Sequence, residues 1–261
     1  IYTYSDVPTS GYVQNPFWRG GRMRALGTYV DVTMRVGRLT LNLGIRYDYS
    51  KGYFNSFPTL DRNANEIGSS PEVDKLFDWS VFSPRLGATF KLNESGTSLI
   101  KGSFGRYHRG IVTGEFDNAT PSIAPRYTFG GNYNAAGLPT DLELFSDNSQ
   151  IRIDPKFDNP YTDQLIVTFE HQLNDRLGLS MSGVYKHSDD QSGWRDIGGT
   201  YIDVVRDVEG KTFNLKQLTS GAASRLFQLT NPGDIDNNYK GFNVQLTKRM
   251  SNRWQGNFGL T

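Results

Sequence analysis

The chain has no cysteine, which excludes disulfide staples and thiolate chemistry and leaves the redox character of its compartment open. Long apolar runs are missing too. The longest are about five residues, as around LIVTF at 165–169, far short of the roughly 20 that a membrane helix needs. Neither sign of charge dominates, with 28 Lys+Arg against 27 Asp+Glu, so no polyanion and no nucleic acid is implied as a partner. Histidine is scarce: His108, His171 and His187 lie far apart, without a ligand spacing such as two His at i, i+4, and no metal site is expected. The run Asp234-Ile235-Asp236-Asn237-Asn238 gathers oxygen ligands but lacks the Gly and closing Glu of a Ca²⁺ loop, since position 245 is Gln. A hydrated turn is the expectation there, with a loop Ca²⁺ as the alternative. There is no G-x-S-x-G, no HExxH and no Gly-rich phosphate loop ahead of a helix. No catalytic residue, cofactor-binding residue or cofactor is therefore assigned, and the chain is not expected to be an enzyme.

What is present is aromatic and glycine-rich. Hydrophobic residues make up 36% of the 261, yet aromatics reach 13% and glycines number 28. That is too aromatic for disorder and too polar for a helical membrane protein. A transmembrane β-barrel escapes both objections, because only alternate residues of each strand face lipid.

Alternation is clearest in LTLNLGIRYDY, 39–49. Leu39, Leu41, Leu43, Ile45, Tyr47 and Tyr49 fall on one face, and Thr40, Asn42, Gly44, Arg46 and Asp48 on the other. The same period predicts strands over 25–36, 81–92, 97–107, 162–172, 177–186, 239–249 and 254–261. Leu99 and Ile166 break the pattern within their strands. Short turns close each pair, at Gly37-Arg38, 93–96, 173–176 and 250–253, whereas 50–79, 108–160 and 187–238 are long connections rich in Gly, Pro and Asn. Within the last, 201–215 reads as a small hairpin. About eight consecutive strands in four hairpins, with short periplasmic turns and long extracellular loops, is the pattern of an all-β, antiparallel transmembrane β-barrel segment.

On this reading the inward, solute-side face carries Asp31, Arg35, Arg46, Asp48, Arg85, Lys101, Glu170, Lys186 and Arg249, where wall pairing or hydration is the ordinary role of such charges. Tyr47, Tyr49, Trp79, Phe82, Tyr107, Tyr161, Tyr185 and Tyr239 fall at the loop ends of their strands and are candidates for one membrane girdle, with Trp254 for the opposite one. The long loops hold Phe116, Tyr127, Phe129, Tyr133, Phe145, Trp194, Tyr201 and Phe213. These either form a binding surface or pack the loops together.

Several segments resemble one family. SPRLGATF (83–90) with SLIKGSFGRYH (98–108), NPYTDQLIVTFEHQLNDRLGLSMSGVYKH (159–187) and YKGFNVQLTKRMSNRWQGNFGLT (239–261) resemble successive barrel hairpins of TonB-dependent outer-membrane receptors, and are most similar to the Oar-like branch with its carboxypeptidase-regulatory-like domain. The resemblance implies a 22-stranded plugged barrel in the bacterial outer membrane, taking up a scarce solute such as a siderophore, glycan, vitamin or peptide. Its implied partners are outer-membrane lipid, the solute, and the inner-membrane TonB complex reached through a plug. Nothing in 1–261 resembles a TonB box, a plug or the terminal aromatic strand. With no leader at Ile1 and a strand pattern still running at Thr261, residues 1–261 are expected to be part of one barrel domain. The alternatives are an outer-membrane adhesion or scaffold protein with protein partners at its long loops, a complete small eight-stranded barrel, and a soluble β-sandwich.

Overall fold

The computed structural model describes residues 2–4 and 7–261, with side chains from Ser10 onward except at 222. Eight long strands dominate it: β1 (Arg22–Val36), β2 (Leu39–Phe54), β3 (Val73–Lys91), β4 (Ser98–His108), β5 (Tyr161–Asn174), β6 (Leu177–Asp189), β7 (Asn237–Ser251) and β8 (Trp254–Leu260). They form a single sheet in chain order, each antiparallel to the next. β1 and β8 are its two edges, so among the described residues these strands do not close into a small eight-stranded barrel.

The register turns the alternation of each strand into two continuous faces. One ladder runs Val36, Leu39, Phe90, Ile100, Phe169, Met181, Val244, Leu260, apolar on all eight strands. The neighbouring ladder runs Arg35, Thr40, Thr89, Lys101, Thr168, Ser182, Asn243, polar throughout. Among the described residues nothing covers the apolar face: Val30 is 60% exposed, Phe242 55% and Phe258 65%. An uncovered apolar area of this extent requires an apolar solvent. On β1 the apolar positions run from Leu26 to Val36, which at about 3.4 Å per residue and a tilt near 40° is roughly 26 Å of height, the thickness of an outer-membrane apolar band. The band also slants across the sheet. The ladder Leu43, Leu86, Phe104, Leu165, Tyr185, Lys240 starts apolar and ends polar, while Ser98, His171, Leu179, Leu246, Phe258 does the reverse. Such a drift is the stagger that tilted barrel strands impose.

The turn ends are tight, and Gly37 adopts a φ of +56° between β1 and β2, where a side chain would be strained. At the loop end the strands outgrow the alternating pattern. β2 continues to Phe54 and β3 starts at Val73, so the predicted connection 50–79 shrinks to 55–72. These extensions carry Ser50, Lys51 and Gly52 opposite Trp79, Asp78 and Phe77. Pairing persists there, but the clean apolar/polar alternation does not.

The buried core lies at this loop end. Phe54, Phe77, Trp79, Ile111, Phe116, Phe157 and Leu229 form one cluster, and Phe77 and Trp79 share the face of Arg85. The long connections thus fold back over the polar face. They are also tied to one another: 151–153 pairs in parallel with 227–230, which pairs with 193–196. Residues 7–14 pair with 126–129, which pairs with 143–146. By contrast the hairpin 201–208/211–218 joins no other sheet. Its base is clamped by Asp196, which accepts hydrogen bonds from Leu226 N (2.9 Å), Gly199 N (3.0 Å), Gly198 N (3.1 Å), Tyr201 Oη (2.6 Å) and Arg225 Nε (3.0 Å).

Two predictions follow from this packing. Phe116 is fully buried, so Phe116→Ala should cost the loop cover about 3–5 kcal/mol. Limited proteolysis should then cut within 109–160, while the heat-modifiable mobility of the barrel on gels is retained. At Asp196, burial pushes the carboxyl up, but the five donors outweigh it and hold the group well below the usual carboxylate range. A depressed pKa gives stability that is complete above the unfolded value of about 3.9 and lost as pH falls through the folded one. Hydrogen exchange in 196–226, taken relative to the intrinsic amide rate at each pH, should therefore be unchanged from pH 7 to about pH 5 and accelerate only in strong acid. Asp196→Ala should accelerate it at every pH.

Candidate functional site

Opposite the apolar face, the sheet presents a polar face on the other parity of each strand. All nine charged residues assigned to it from sequence stand on it, placed by strand parity: Asp31 and Arg35 on β1, Arg46 and Asp48 on β2, Arg85 on β3, Lys101 on β4, Glu170 on β5, Lys186 on β6 and Arg249 on β7. Four of them pair. Arg46 Nε and Nη2 donate to Asp48 at 2.7 Å, and Lys101 Nζ donates to Glu170 Oε1 at 2.7 Å across β4 and β5. Side-chain exposures of 42% and 36% for the second pair place it in wet surroundings, where such pairs contribute little. Lys91, the last residue of β3, stands on the same face, where the alternation of 81–92 also puts it, although it was not among the nine.

Most of the remaining side chains of this face below the loop end are small or polar, with Leu99, Val81, the cross-strand pair Ile166–Val184 and the rings of Tyr29, Tyr107 and Tyr239 as the larger ones. Concavities result. One of about 490 Å³ includes Asp31, Asn42, Arg46, Arg85, Ser103 and Tyr107 in its lining; another, about 380 Å³, lies nearer the turns between Leu99, Glu170, Gln245, Thr247 and Arg249; a smaller one, about 260 Å³, lies by Thr89, Lys101 and Ile166. Above them the buried aromatic cluster forms a ceiling, with Trp79 Nε1 donating to Phe157 O at 2.9 Å.

The girdle candidates divide between the faces. Tyr47, Tyr49, Tyr161, Tyr185 and Trp254 share the apolar face, as does Phe82. Tyr47 packs on Phe82 with ring centroids 5.1 Å apart, and Lys248 Nζ sits 3.8 Å from the Trp254 ring centroid. The polar tips find partners at the rim: Tyr185 Oη donates to Asn238 and Tyr161 Oη to Asp189, each at 2.9 Å. Trp79, Tyr107 and Tyr239 stand on the polar face instead, which corrects the girdle assignment for these three. Trp79 is 5% exposed within the core cluster. Tyr107 folds over Gly105, and Tyr239 over Gly241, so closely that a Cβ on either glycine would lie within 3 Å of the ring. The missing side chain two residues along leaves each ring a seat on the wall.

The rim of the apolar face also carries a bidentate pair that sequence reading missed, Arg106 with Asp163 at 2.7 Å, with the Tyr161 ring 4.0 Å from the guanidinium. Its signal was the loss of apolar residues at 106 and 163, in phase with Phe104 and Leu165. The histidines remain apart, with His108 on Ser83, His171 on Ser98 and His187 on Asn238. In the run 234–238, Asp234 pairs with Arg195 and Asp236 accepts from Gln191 N. Of the loop aromatics, Phe116 and Phe129 are buried, and Trp194 packs against the core cluster. Tyr133 packs on Phe129, Phe145 on Tyr12, and Tyr201 bonds Asp196. Tyr127 is 37% exposed and Phe213 44%. Packing the loops is thus the main role of these side chains, with the hairpin 201–218 as the exception.

Comparison with known proteins yields a family and a fold. Residues 4–261 match the family model described as an outer membrane beta barrel domain. Among curated proteins none matches. Solved structures similar in fold include the hemophore receptor HasR of Serratia marcescens, bound to hemophore HasA and heme, at TM-score 0.51 and 14% identity, over 88% of this chain and 32% of that one. The FrpB iron transporter of Neisseria meningitidis gives TM-score 0.49 and 12% identity, over 91% and 25%. The siderophore receptor PirA of Acinetobacter baumannii gives 0.45 and 14%, over 92% and 36%. The chain thus spans about a quarter to a third of the length of these proteins.

The exposed Lys101–Glu170 pair generates a prediction of its own. Glu170→Gln should change barrel stability by less than about 1 kcal/mol, read as the midpoint of heat-modified gel mobility.

Proposed function

The chain belongs to the outer membrane beta-barrel family, its sheet is part of a bacterial outer-membrane barrel, and on that premise we propose that it forms the solute-facing wall of a TonB-dependent receptor of the Oar-like branch. The observation that carries this reading is the continuous polar face. Seven strands contribute to the ladder from Arg35 to Asn243 without one apolar residue, and it faces away from the lipid ladder. A wall of this kind lines a wet interior. The likeness in fold to HasR and the three hairpin resemblances support the receptor assignment.

The receptor takes up a scarce solute, a siderophore, glycan, vitamin or peptide, using energy delivered by the TonB complex through a plug held against this wall. The chain's part is binding and passage, with no chemical step. A second reading, adhesion or scaffolding at the cell surface, is favoured by one feature. The free hairpin 201–218 holds Ile202 (50% exposed), Val205 (60%) and Val208 (56%) in the open.

Uptake by cells carrying the intact gene separates the two. Accumulation of the solute should fall to the level of a gene deletion when TonB is removed or the proton gradient is collapsed. Surface attachment that persists without TonB, with no TonB-dependent uptake of any solute class, would replace transport with adhesion.

A further inference from the structure

The charges of the wall do not balance. With the pairs Arg46–Asp48 and Lys101–Glu170 set aside, the polar face below the ceiling keeps Arg35, Arg85, Lys91, Lys186 and Arg249 against the single carboxylate of Asp31. Among the described residues, no carboxylate lies within 4 Å of any of the five cations. Arg85 is exposed. On its ladder the neighbours on both sides are glycines, Gly44 and Gly105, and the order continues through Gln164 to Lys186. Gly44 therefore presents no side chain between Asp31 and Arg85, whose Cβ atoms lie 3.6 and 3.7 Å from where its own Cβ would be. Tyr107, seated over Gly105, brings its ring to 5.0 Å from the Arg85 guanidinium. The result is a planar, permanently charged donor fork, held on an aromatic face at the lining of a concavity of about 490 Å³. Lys186 stands three strands away, about 14 Å along the sheet.

We propose that the solute passing this wall is a compact polyanion bearing carboxylate or phosphate groups, and that Arg85, stacked on Tyr107, is its contact, with Lys186 as the second cationic point. This rests on the uptake reading above. The fork of Arg85 matches a carboxylate or phosphate bidentately, which a hydrated lysine does not. The surplus cations around it raise the local concentration of anions along the wall.

The absence of cysteine from this stretch allows a direct test. In the full-length receptor, with Ser103→Cys as the sole reactive thiol in the concavity, modification by an anionic sulfonatoethyl methanethiosulfonate is compared with that by a cationic trimethylammonioethyl one. With each rate divided by the same reagent's rate toward a free small thiol, the anionic reagent should be favoured by on the order of tenfold. The ratio should fall several-fold in Arg85→Gln, survive in Arg85→Lys, and approach one in about 1 M salt, where the screening length is about 3 Å. Citrate should slow the modification and maltose should not, with Arg85→Lys weakening the citrate effect. A cationic reagent that on this normalised scale reacts as fast or faster overturns the proposal, as does a failure of citrate to protect. Uptake failure is separable, because the reagent ratio is read without transport. A ratio near one in a receptor that does take up solute removes the anion assignment alone.

Discussion

A strand inside a bilayer has no water to satisfy its N–H and C=O groups, so each must find its partner on the next strand. The ladders of this sheet follow that demand. Register shifts occur between Gly52 and Phe54, Gln172 and Asn174, and Lys248 and Ser251, all at strand ends. Between them the pairing runs without a break through the apolar band. Chain-order antiparallel neighbours, paired by hairpins, achieve this with the least loop length, and the rest of the architecture inherits from it. An unbroken register keeps every strand's alternation in phase, which is why one ladder is apolar on all eight strands and the next polar on seven. The edges β1 and β8 carry the same demand outward, since in lipid an unpaired edge calls for a further strand.

The phase of the strands was legible in the sequence because lipid acts on every second residue alike. Leu39 to Tyr49 needed no tertiary information to be read, and neither did the contrast between turns of two to five residues and connections of tens of residues. The faces of Trp79, Tyr107 and Tyr239 were less legible. Each sits where a girdle aromatic would, and position along a strand does not report direction across it. The local signal was glycine two residues along, at 105 and 241, which opens a seat for a ring on the same face. For Trp79 the decisive partners are Phe116 and Phe157, more than 35 residues away. The parallel pairing of 151–153 with 227–230 joins residues 76 apart and leaves no periodic trace.

The wall itself was read residue by residue, but not as a charge distribution. Listing Arg85 beside Arg46 treats them alike, whereas the structure separates them by their neighbours. Arg46 closes on Asp48 two residues along its own strand, a pairing available to any i, i+2 couple on one face. Arg85 has glycine on either side and a tyrosine ring instead of a carboxylate. What distinguishes a neutralised charge from an available one is the register, which the sequence carries only through the whole set of turns.

The long connections do two mechanical jobs. Residues that reach the polar face bury Ile111, Phe116, Phe157 and Leu229 against Phe54, Phe77 and Trp79. With each such side chain contributing about 1.5–3 kcal/mol, that part is a fixed ceiling and not a thermally opened flap. The hairpin 201–218 is the opposite case. Its own two strands pair with nothing else, yet the five hydrogen bonds to Asp196 fix its root. Stiffness at the base and bare side chains along the arm occur together because the ceiling has already consumed the buried aromatics of the loops. The wall needs a cover that stays, and Asp196, at the end of the strand 193–196 that pairs with 227–230, roots the exposed arm in that cover.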